Sequence, residues 1–163
     1  LSMLTGAEGR FDYIISANNI IGIVDYAHTP DALENVLATI KKLRKGYEQI
    51  ITVVGCGGDR DTGKRPLMGE IATRLADKVV VTADNPRSEQ IDAIIADIMV
   101  GILSPQQVTI NPDRQQAIDY ALTHAQAGDL VLIAGKGHED YQEIHGVRYP
   151  FDDAAIVQQL LNK

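Results

Sequence analysis

The fold class is decided by residues 49–66, which read QIITVVGCGGDRDTGKRP. The first six of these residues form a nearly continuous apolar run of strand length, the pattern of a strand that is buried on both faces of a sheet. A glycine-rich loop follows this run, and Pro66 is a residue typical of the first turn of a helix. The stretch therefore predicts a strand, a loop and a helix in succession.

The same succession recurs on both sides of that stretch. Apolar residues recur at helical spacing in residues 30–43, and residues 141–149 predict a hairpin that turns at His145 and Gly146. Further helices are expected to begin at Pro66, after a cap at Ser88, at Pro112 and at Asp152, and strands are expected at residues 11–15, 20–24, 78–82, 107–110 and 130–134. This alternation predicts a Rossmann-like α/β domain, an open and mostly parallel sheet with helices on both faces.

Composition limits the functions open to the chain. Its length of 163 residues suits one domain. Its net charge of −7 argues against binding to nucleic acid or to an anionic membrane surface. The single cysteine, Cys56, excludes an internal disulfide, and without a base near it in the sequence we expect it to be structural. No apolar run approaches the roughly 20 residues of a membrane span. The single cysteine and the lack of a signal peptide or membrane span lead us to expect a cytoplasmic protein. Because the first residue is Leu1 rather than Met, we expect the chain to be a piece of a longer one.

Polar segments rich in Gly or Pro follow four of the predicted strands, at residues 25–30, 55–65, 83–87 and 135–140. Ligands bind outside the carboxyl ends of the strands in open α/β sheets, so these segments predict a ligand site.

Four side chains in these segments suit an amino acid with more than one carboxylate. Arg60 and Arg87 are planar donors for carboxylates, Asn85 can donate and accept, and Glu139 suits an ammonium group. The alternative is that these residues pair with one another as surface ion pairs.

Several common motifs are incomplete. Residues 58–64 match most of a phosphate-binding loop, but Arg65 replaces the Ser or Thr that would bind magnesium. The glycine pairs in residues 55–57 and 135–137 lack the third glycine of a dinucleotide-binding loop, which disfavours a nicotinamide-dependent dehydrogenase. Residues 138–139 lack the second histidine of a zincin helix.

Four motifs carry a resemblance to a known family. They are DYAHTPDALE at residues 25–34, GGDRDTGKRP at 57–66, DNPR at 84–87 and GKGHE at 135–139. In these motifs the sequence resembles the C-terminal domain of the Mur ligases, and most of all the members that add diaminopimelate. The resemblance implies that residues 1–163 are the C-terminal domain of a three-domain ligase, without its N-terminal UDP-sugar-binding domain and its central ATPase domain.

The resemblance also implies an activity, ATP-dependent amide formation in peptidoglycan synthesis. In that reaction ATP converts the D-glutamyl side-chain carboxylate of UDP-MurNAc-L-Ala-D-Glu to an acyl phosphate, which an amine of meso-diaminopimelate attacks. The missing domains would bind most of the ATP and Mg²⁺, and the C-terminal domain would bind the amino acid and close over ATP. The fragment alone is therefore expected to be inactive.

Carried over by position, the resemblance assigns two sets of residues. The meso-diaminopimelate site would comprise Arg60, Asp84, Asn85, Pro86, Arg87, Gly135 and Glu139. The nucleotide contacts would be Arg10, Asp25 and His28. No metal ligands are expected in this domain.

Two alternatives stay open at the level of sequence. Related ligases that add lysine differ most in the segment that contains Arg87. An amino-acid-binding module without catalysis would bind diaminopimelate independently of other domains, whereas a ligase fragment should bind it poorly until domain closure completes the pocket.

Overall fold

A computed structural model describes residues 12–162 of the chain. The strands are β1 (Asp12–Ile15), β2 (Ile21–Asp25), β3 (Ile50–Val54), β4 (Lys78–Val81), β5 (Val108–Ile110), β6 (Leu130–Ala134), β7 (Tyr141–Ile144) and β8 (Val147–Pro150). The helices are α1 (Pro30–Leu43), α2 (Lys64–Leu75), α3 (Ile91–Met99), α4 (Arg114–Thr123) and α5 (Asp153–Leu161), with a short 3₁₀ turn at Pro105–Gln107. Within these residues, no helix is long and apolar enough to cross a membrane.

The strands confirm the predicted α/β fold class. Within residues 12–162, six strands form one sheet in the order β1-β2-β6-β3-β4-β5. Strand β1 is antiparallel to β2, and the other neighbours are parallel. Every residue of the central strands β3 and β6 is buried, as their continuous apolar sequence predicts. Strands β7 and β8 form the predicted hairpin outside this sheet.

Helices cover both faces of the sheet, and each face has its own apolar core. Helices α1, α2 and α3 pack on one face through residues such as Leu37, Met68 and Ile98. Helices α4 and α5 pack on the other face, where Ile118 and Val157 are fully buried. The alternation of apolar strands and amphipathic helices thus leads to a three-layer domain.

Three predicted helix starts need correction. Helix α2 begins at Lys64, two residues before Pro66, and α4 begins at Arg114 rather than at Pro112, with Asp113 as its cap. Ser88 does not cap α3, which begins at Ile91. The Ser88 hydroxyl instead donates to the Asp59 carboxylate in the loop after β3, at 2.5 Å. A tertiary hydrogen bond therefore replaces the local cap that the sequence predicts.

A buried ion pair connects the second face to the ends of two central strands. Asp153, at the start of α5, accepts hydrogen bonds from Arg114 Nε and Nη2 at 2.9 and 2.7 Å. The same guanidinium donates to the carbonyls of Ala83, just after β4, and Ala134, at the end of β6, at 2.9 and 3.1 Å. Both side chains are completely buried, and the pair fixes the points from which two loops leave the sheet.

Replacing Asp153 by Ala should strongly destabilise the chain. The substitution leaves the Arg114 guanidinium buried without its counter-charge, and breaking a buried pair in this way costs about 3–5 kcal/mol. Urea unfolding followed by circular dichroism measures the change. As a control, Arg74→Ala removes an exposed arginine from its pairs with Glu34 and Glu70 and should leave the midpoint near that of the parent. Equal midpoints for Asp153→Ala and the parent would contradict this assignment.

Candidate functional site

A cleft of about 240 Å³ lies at the carboxyl ends of β2, β3, β4 and β6. This is the edge of the sheet where the sequence predicts a ligand site. The cleft is lined by Tyr26, His28, Thr29, Gly55, Cys56, Gly57, Arg60, Lys64, Asp84, Asn85, Arg87, Gly135 and Glu139. It thus brings together six of the seven residues assigned to the amino acid, and only Pro86 of that set lies outside the lining.

Glycines allow the loop after β3 to lie directly against the segment after β4. The amide of Gly58 donates to the Asn85 carbonyl at 2.8 Å, and a Cβ on Gly58 would come within 1.8 Å of the Pro86 oxygen. At Gly57, a Cβ would lie 2.8 Å from Arg87 Nη1. Pro86 therefore belongs to the packing between the two segments rather than to the wall of the cleft.

The two arginines keep their charge available to a ligand. Arg60 is exposed and donates to the carbonyl of Asp59 at 2.9 Å, while Arg87 is half-buried and donates to the carbonyl of Gly58 at 3.0 Å. Neither guanidinium forms an ion pair with a carboxylate of residues 12–162. Backbone carbonyls satisfy only part of their donor capacity, so both arginines can still bind carboxylates.

The hairpin β7–β8 holds the backbone of Arg87. The amide of Arg87 donates to the carbonyl of Glu143 at 3.0 Å, and the amide of His145 donates to the carbonyl of Arg87 at 2.8 Å. Arg87 has a φ of +52°, a left-handed conformation that is unfavourable for residues with a Cβ. The two hairpin bonds stabilise this conformation, and they direct the side chain toward the loop after β3.

The acidic groups of the cleft lie around a buried lysine, Lys136. Its Nζ donates to Asn85 Oδ1 at 2.6 Å and lies 3.2 Å from an oxygen of Asp84 and 3.7 Å from one of Glu139. Burial lowers the pKa of Lys136, and the Asp84 carboxylate opposes that shift. The motif at residues 135–139 contains this lysine, but its sequence position alone assigns it no role.

Two of the three residues assigned to a nucleotide, Asp25 and His28, lie among the described residues. Arg10 lies outside the described residues. His28 is exposed in the lining of the cleft, with Nδ1 2.9 Å from the carbonyl of Tyr26. Asp25 does not line the cleft, because its buried carboxylate accepts from the amide of Ala27 at 2.9 Å and its carbonyl accepts from Gly135. The side chain of Asp25 therefore shapes the end of β2.

The loop after β3 does not fit a triphosphate or a magnesium ion. Three of its amides are bonded to protein oxygens: Gly58 to Asn85, Asp59 to Glu89 at 2.6 Å, and Gly63 to Asp61 at 2.9 Å. The hydrogen bonds from Ser88 lower the pKa of Asp59, which keeps a negative charge in the loop. Over residues 12–162, no group of three or more His, Cys, Asp or Glu side chains could hold a metal ion.

Comparison with known proteins gives matches along nearly the whole chain. A family model described as Mur ligase, glutamate ligase domain matches residues 9–137. The chain is 55% identical, over 99% of its length, to the UDP-N-acetylmuramoyl-L-alanyl-D-glutamate–2,6-diaminopimelate ligase of Cytophaga hutchinsonii, of which it covers 34%. It is 52% identical, over 94% of its length, to the ligase of the same name from Aquifex aeolicus, of which it covers 31%.

A solved structure of a UDP-N-acetylmuramoyl-L-alanyl-D-glutamate–2,6-diaminopimelate ligase shares the fold. It superposes on this chain with a TM-score of 0.88 at 48% identity, covering 98% of this chain and 32% of the solved one. The chain thus spans about a third of the length of the relatives that it matches.

The reactivity of the Cys56 thiol reports how tightly the lining of the cleft is packed around it. Burial raises its pKa to about 12, so only about one thiol in ten thousand is ionised at pH 8. We expect alkylation by iodoacetamide at pH 8 to be at least about a hundredfold slower in the folded chain than in urea. Mass spectrometry of timed samples measures both rates. Rapid, complete labelling of the folded chain would show that the thiol is accessible and ionised.

Proposed function

Because the chain belongs to the Mur ligase family, we propose that it is the C-terminal domain of a ligase that adds meso-diaminopimelate to UDP-MurNAc-L-Ala-D-Glu. The observation that carries this proposal is the cleft, whose lining combines two arginines without carboxylate partners and the carboxylates of Asp84 and Glu139. The names of the relatives, which cover nearly all of this chain, support the same substrate.

The charges of the cleft match those of the proposed amino acid. meso-Diaminopimelate has two carboxylates and two amino groups, one of each at both ends of its carbon chain. Arg60 and Arg87 would bind the carboxylates, and Asp84 and Glu139 would bind an ammonium group. Gly135, which has a φ of +116°, would let the backbone approach the ligand closely. Binding in this manner would orient the free amine toward the rest of the enzyme.

The length of the chain and its glycine loop indicate which substrates the other domains of the ligase would bind. This chain spans about a third of its relatives, and its glycine loop does not fit a triphosphate. We place the main sites for ATP and Mg²⁺, and the site for UDP-MurNAc-L-Ala-D-Glu, in the remaining two domains. Arg10, Asp25 and His28 would contact the nucleotide from this side when the domains close. ATP and UDP-linked substrates place the reaction in the cytoplasm.

Arg87 is our candidate for the choice between diaminopimelate and lysine. Lysine lacks the carboxylate at the far end of diaminopimelate, so it would leave one guanidinium in the cleft without a partner. Two charge-assisted hydrogen bonds contribute about 1.5–3 kcal/mol each, which is enough to separate the two amino acids by about a hundredfold or more. The fixed backbone of Arg87 reduces the entropy lost when these bonds form.

Replacing Arg87 by Ala in the full-length ligase should raise the KM for meso-diaminopimelate by about a hundredfold and leave the KM for ATP nearly unchanged. ADP release at varied concentrations of each substrate measures both values. Arg44→Ala, which removes a half-buried arginine paired with Asp77 outside the cleft, is the matched control. If the parent uses lysine as well as diaminopimelate, or Arg87→Ala leaves their ratio unchanged, the role of Arg87 is wrong and a lysine-adding ligase becomes the better assignment.

The 163-residue chain by itself should fold but should not turn over substrate. Its two apolar cores are complete within one domain, whereas amides of the loop that could cradle phosphates already bond to the carboxylates of Asp61 and Glu89. Cooperative urea unfolding and the absence of ADP formation are the expected results. Diaminopimelate-dependent ADP formation by this chain would refute the assignment of ATP to other domains.

A further inference from the structure

Lys136 is placed between the residues that we assign to the amino acid, yet it does not line the cleft. Its side chain is 0% exposed. Its Nζ donates to Asn85 Oδ1 at 2.6 Å and to the carbonyl of Tyr141 at 2.9 Å, and it lies 3.2 Å from Asp84 Oδ1. The ammonium group therefore acts behind the wall of the cleft rather than on a ligand.

These contacts fix which way the side-chain amide of Asn85 points. Its Oδ1 accepts from Lys136 Nζ and from the amide of Glu143, at 2.6 and 3.0 Å. Both of these partners are donors, so a flipped amide would set Nδ2 against two donors and lose both bonds. Asn85 is 3% exposed, and burying such a mismatch is costly. The orientation with Nδ2 away from Lys136 is therefore strongly preferred.

The amide nitrogen of Asn85 consequently faces the other groups of the cleft. Nδ2 donates to Glu139 Oε1 at 3.3 Å, and it has no second acceptor among residues 12–162. An amide nitrogen carries two hydrogens, so one donor stays available. Since Asn85 and Glu139 both line the cleft, that donor can meet an acceptor on a bound molecule.

We propose that Lys136 is a positioning residue, which holds the Asn85 amide so that it offers the amino acid a hydrogen-bond donor for a carboxylate oxygen. This inference rests on the proposed function, because it names how one residue of that site is set. In this arrangement Glu139, which neighbours that donor, accepts together with Asp84 from an ammonium of the ligand. Lys136 thereby determines that Asn85 binds a carboxylate of the ligand and that the neighbouring Glu139 binds an ammonium group.

Another buried cation, Arg114, serves as a contrast within the same domain. Arg114 binds Asp153 and two backbone carbonyls, and none of its hydrogen bonds reaches a side chain that lines the cleft. Lys136 bonds to or neighbours three side chains that do, those of Asp84, Asn85 and Glu139. Arg114 should therefore influence the cleft through the stability of the fold, whereas Lys136 should influence recognition of the amino acid through the side chains of the cleft.

A double-mutant cycle in the full-length ligase tests whether Lys136 acts through Asn85. Lys136→Met keeps the length of the side chain and removes its donors; the KM for meso-diaminopimelate should rise about tenfold or more, with the KM for ATP unchanged. In an Asn85→Ala background, Lys136→Met should change the diaminopimelate KM less than about twofold. Lys41→Met, on the exposed face of α1, is the control and should match the parent.

The outcomes of the cycle are distinct. An unchanged diaminopimelate KM in Lys136→Met, an equal rise in the KM for ATP, or effects that multiply in the double variant would each overturn the positioning role. A parent enzyme without diaminopimelate-dependent ADP formation would overturn the proposed function itself, and this inference with it.

Asn85→Asp tests the orientation of the Asn85 side-chain amide without changing Lys136. If Lys136→Met fails to fold, this variant still shows whether Asn85 offers the ligand a donor. Aspartate keeps an oxygen for the lysine but replaces the Nδ2 donor by an oxygen beside Glu139. If Asn85 offers a donor, the KM for meso-diaminopimelate should rise at least about tenfold. A diaminopimelate KM equal to that of the parent would mean that Asn85 offers an acceptor, and the inference would be wrong.

Discussion

The cleft depends on one buried ion pair, between Arg114 and Asp153, which lies on the opposite side of the sheet from the glycine loop's helix. The guanidinium satisfies four hydrogen bonds at once, two to Asp153 and two to the carbonyls of Ala83 and Ala134. Asp84 and Gly135, the residues that follow those carbonyls, belong to the cleft. Helices α4 and α5 therefore fix where the loops after β4 and β6 begin, although neither Arg114 nor Asp153 lines the cleft.

A second constraint is the close contact between neighbouring loops. The loop after β3 can lie on the segment after β4 only because Gly58 has no side chain where the Pro86 oxygen sits. The hairpin β7–β8 holds that same segment from the other side, through Arg87 and through the bond from Gln142 to the carbonyl of Asp84. The loop after β3 and the hairpin β7–β8 both limit the motion of the segment after β4. This restriction pre-organises the charged side chains of that segment for a ligand.

Four arginines near the cleft and the cores divide by burial into two pairs. Arg65 and Arg114 are almost completely buried and bonded to carboxylates, so their charge is compensated within the fold. Arg60 and Arg87 reach the cleft and bond only to backbone carbonyls. Burying a charge without a partner is costly, and so the buried cations carry structural bonds while the accessible ones keep donors for a ligand.

The fold class could be predicted from the sequence because apolar periodicity and the Gly, Pro and Asp residues at segment ends act locally. The continuous run before Gly55 and the helical spacing after Pro30 determine their elements almost independently of the rest of the chain. The common location of the polar segments could also be predicted from the sequence, because the carboxyl ends of parallel strands lie at one edge of the sheet.

Tertiary structure alone decided the features that depend on partners distant in sequence. Ser88 forms its hydrogen bond with Asp59, 29 residues away, and so it does not cap a helix. The carbonyl of Asp25 accepts from the amide of Gly135, and Lys136 becomes the centre of a polar cluster through Asn85, 51 residues away. A pattern of residue types specifies which groups reach the edge of the sheet, but hydrogen-bond geometry and burial, which exist only in the folded chain, determine which of them face a ligand.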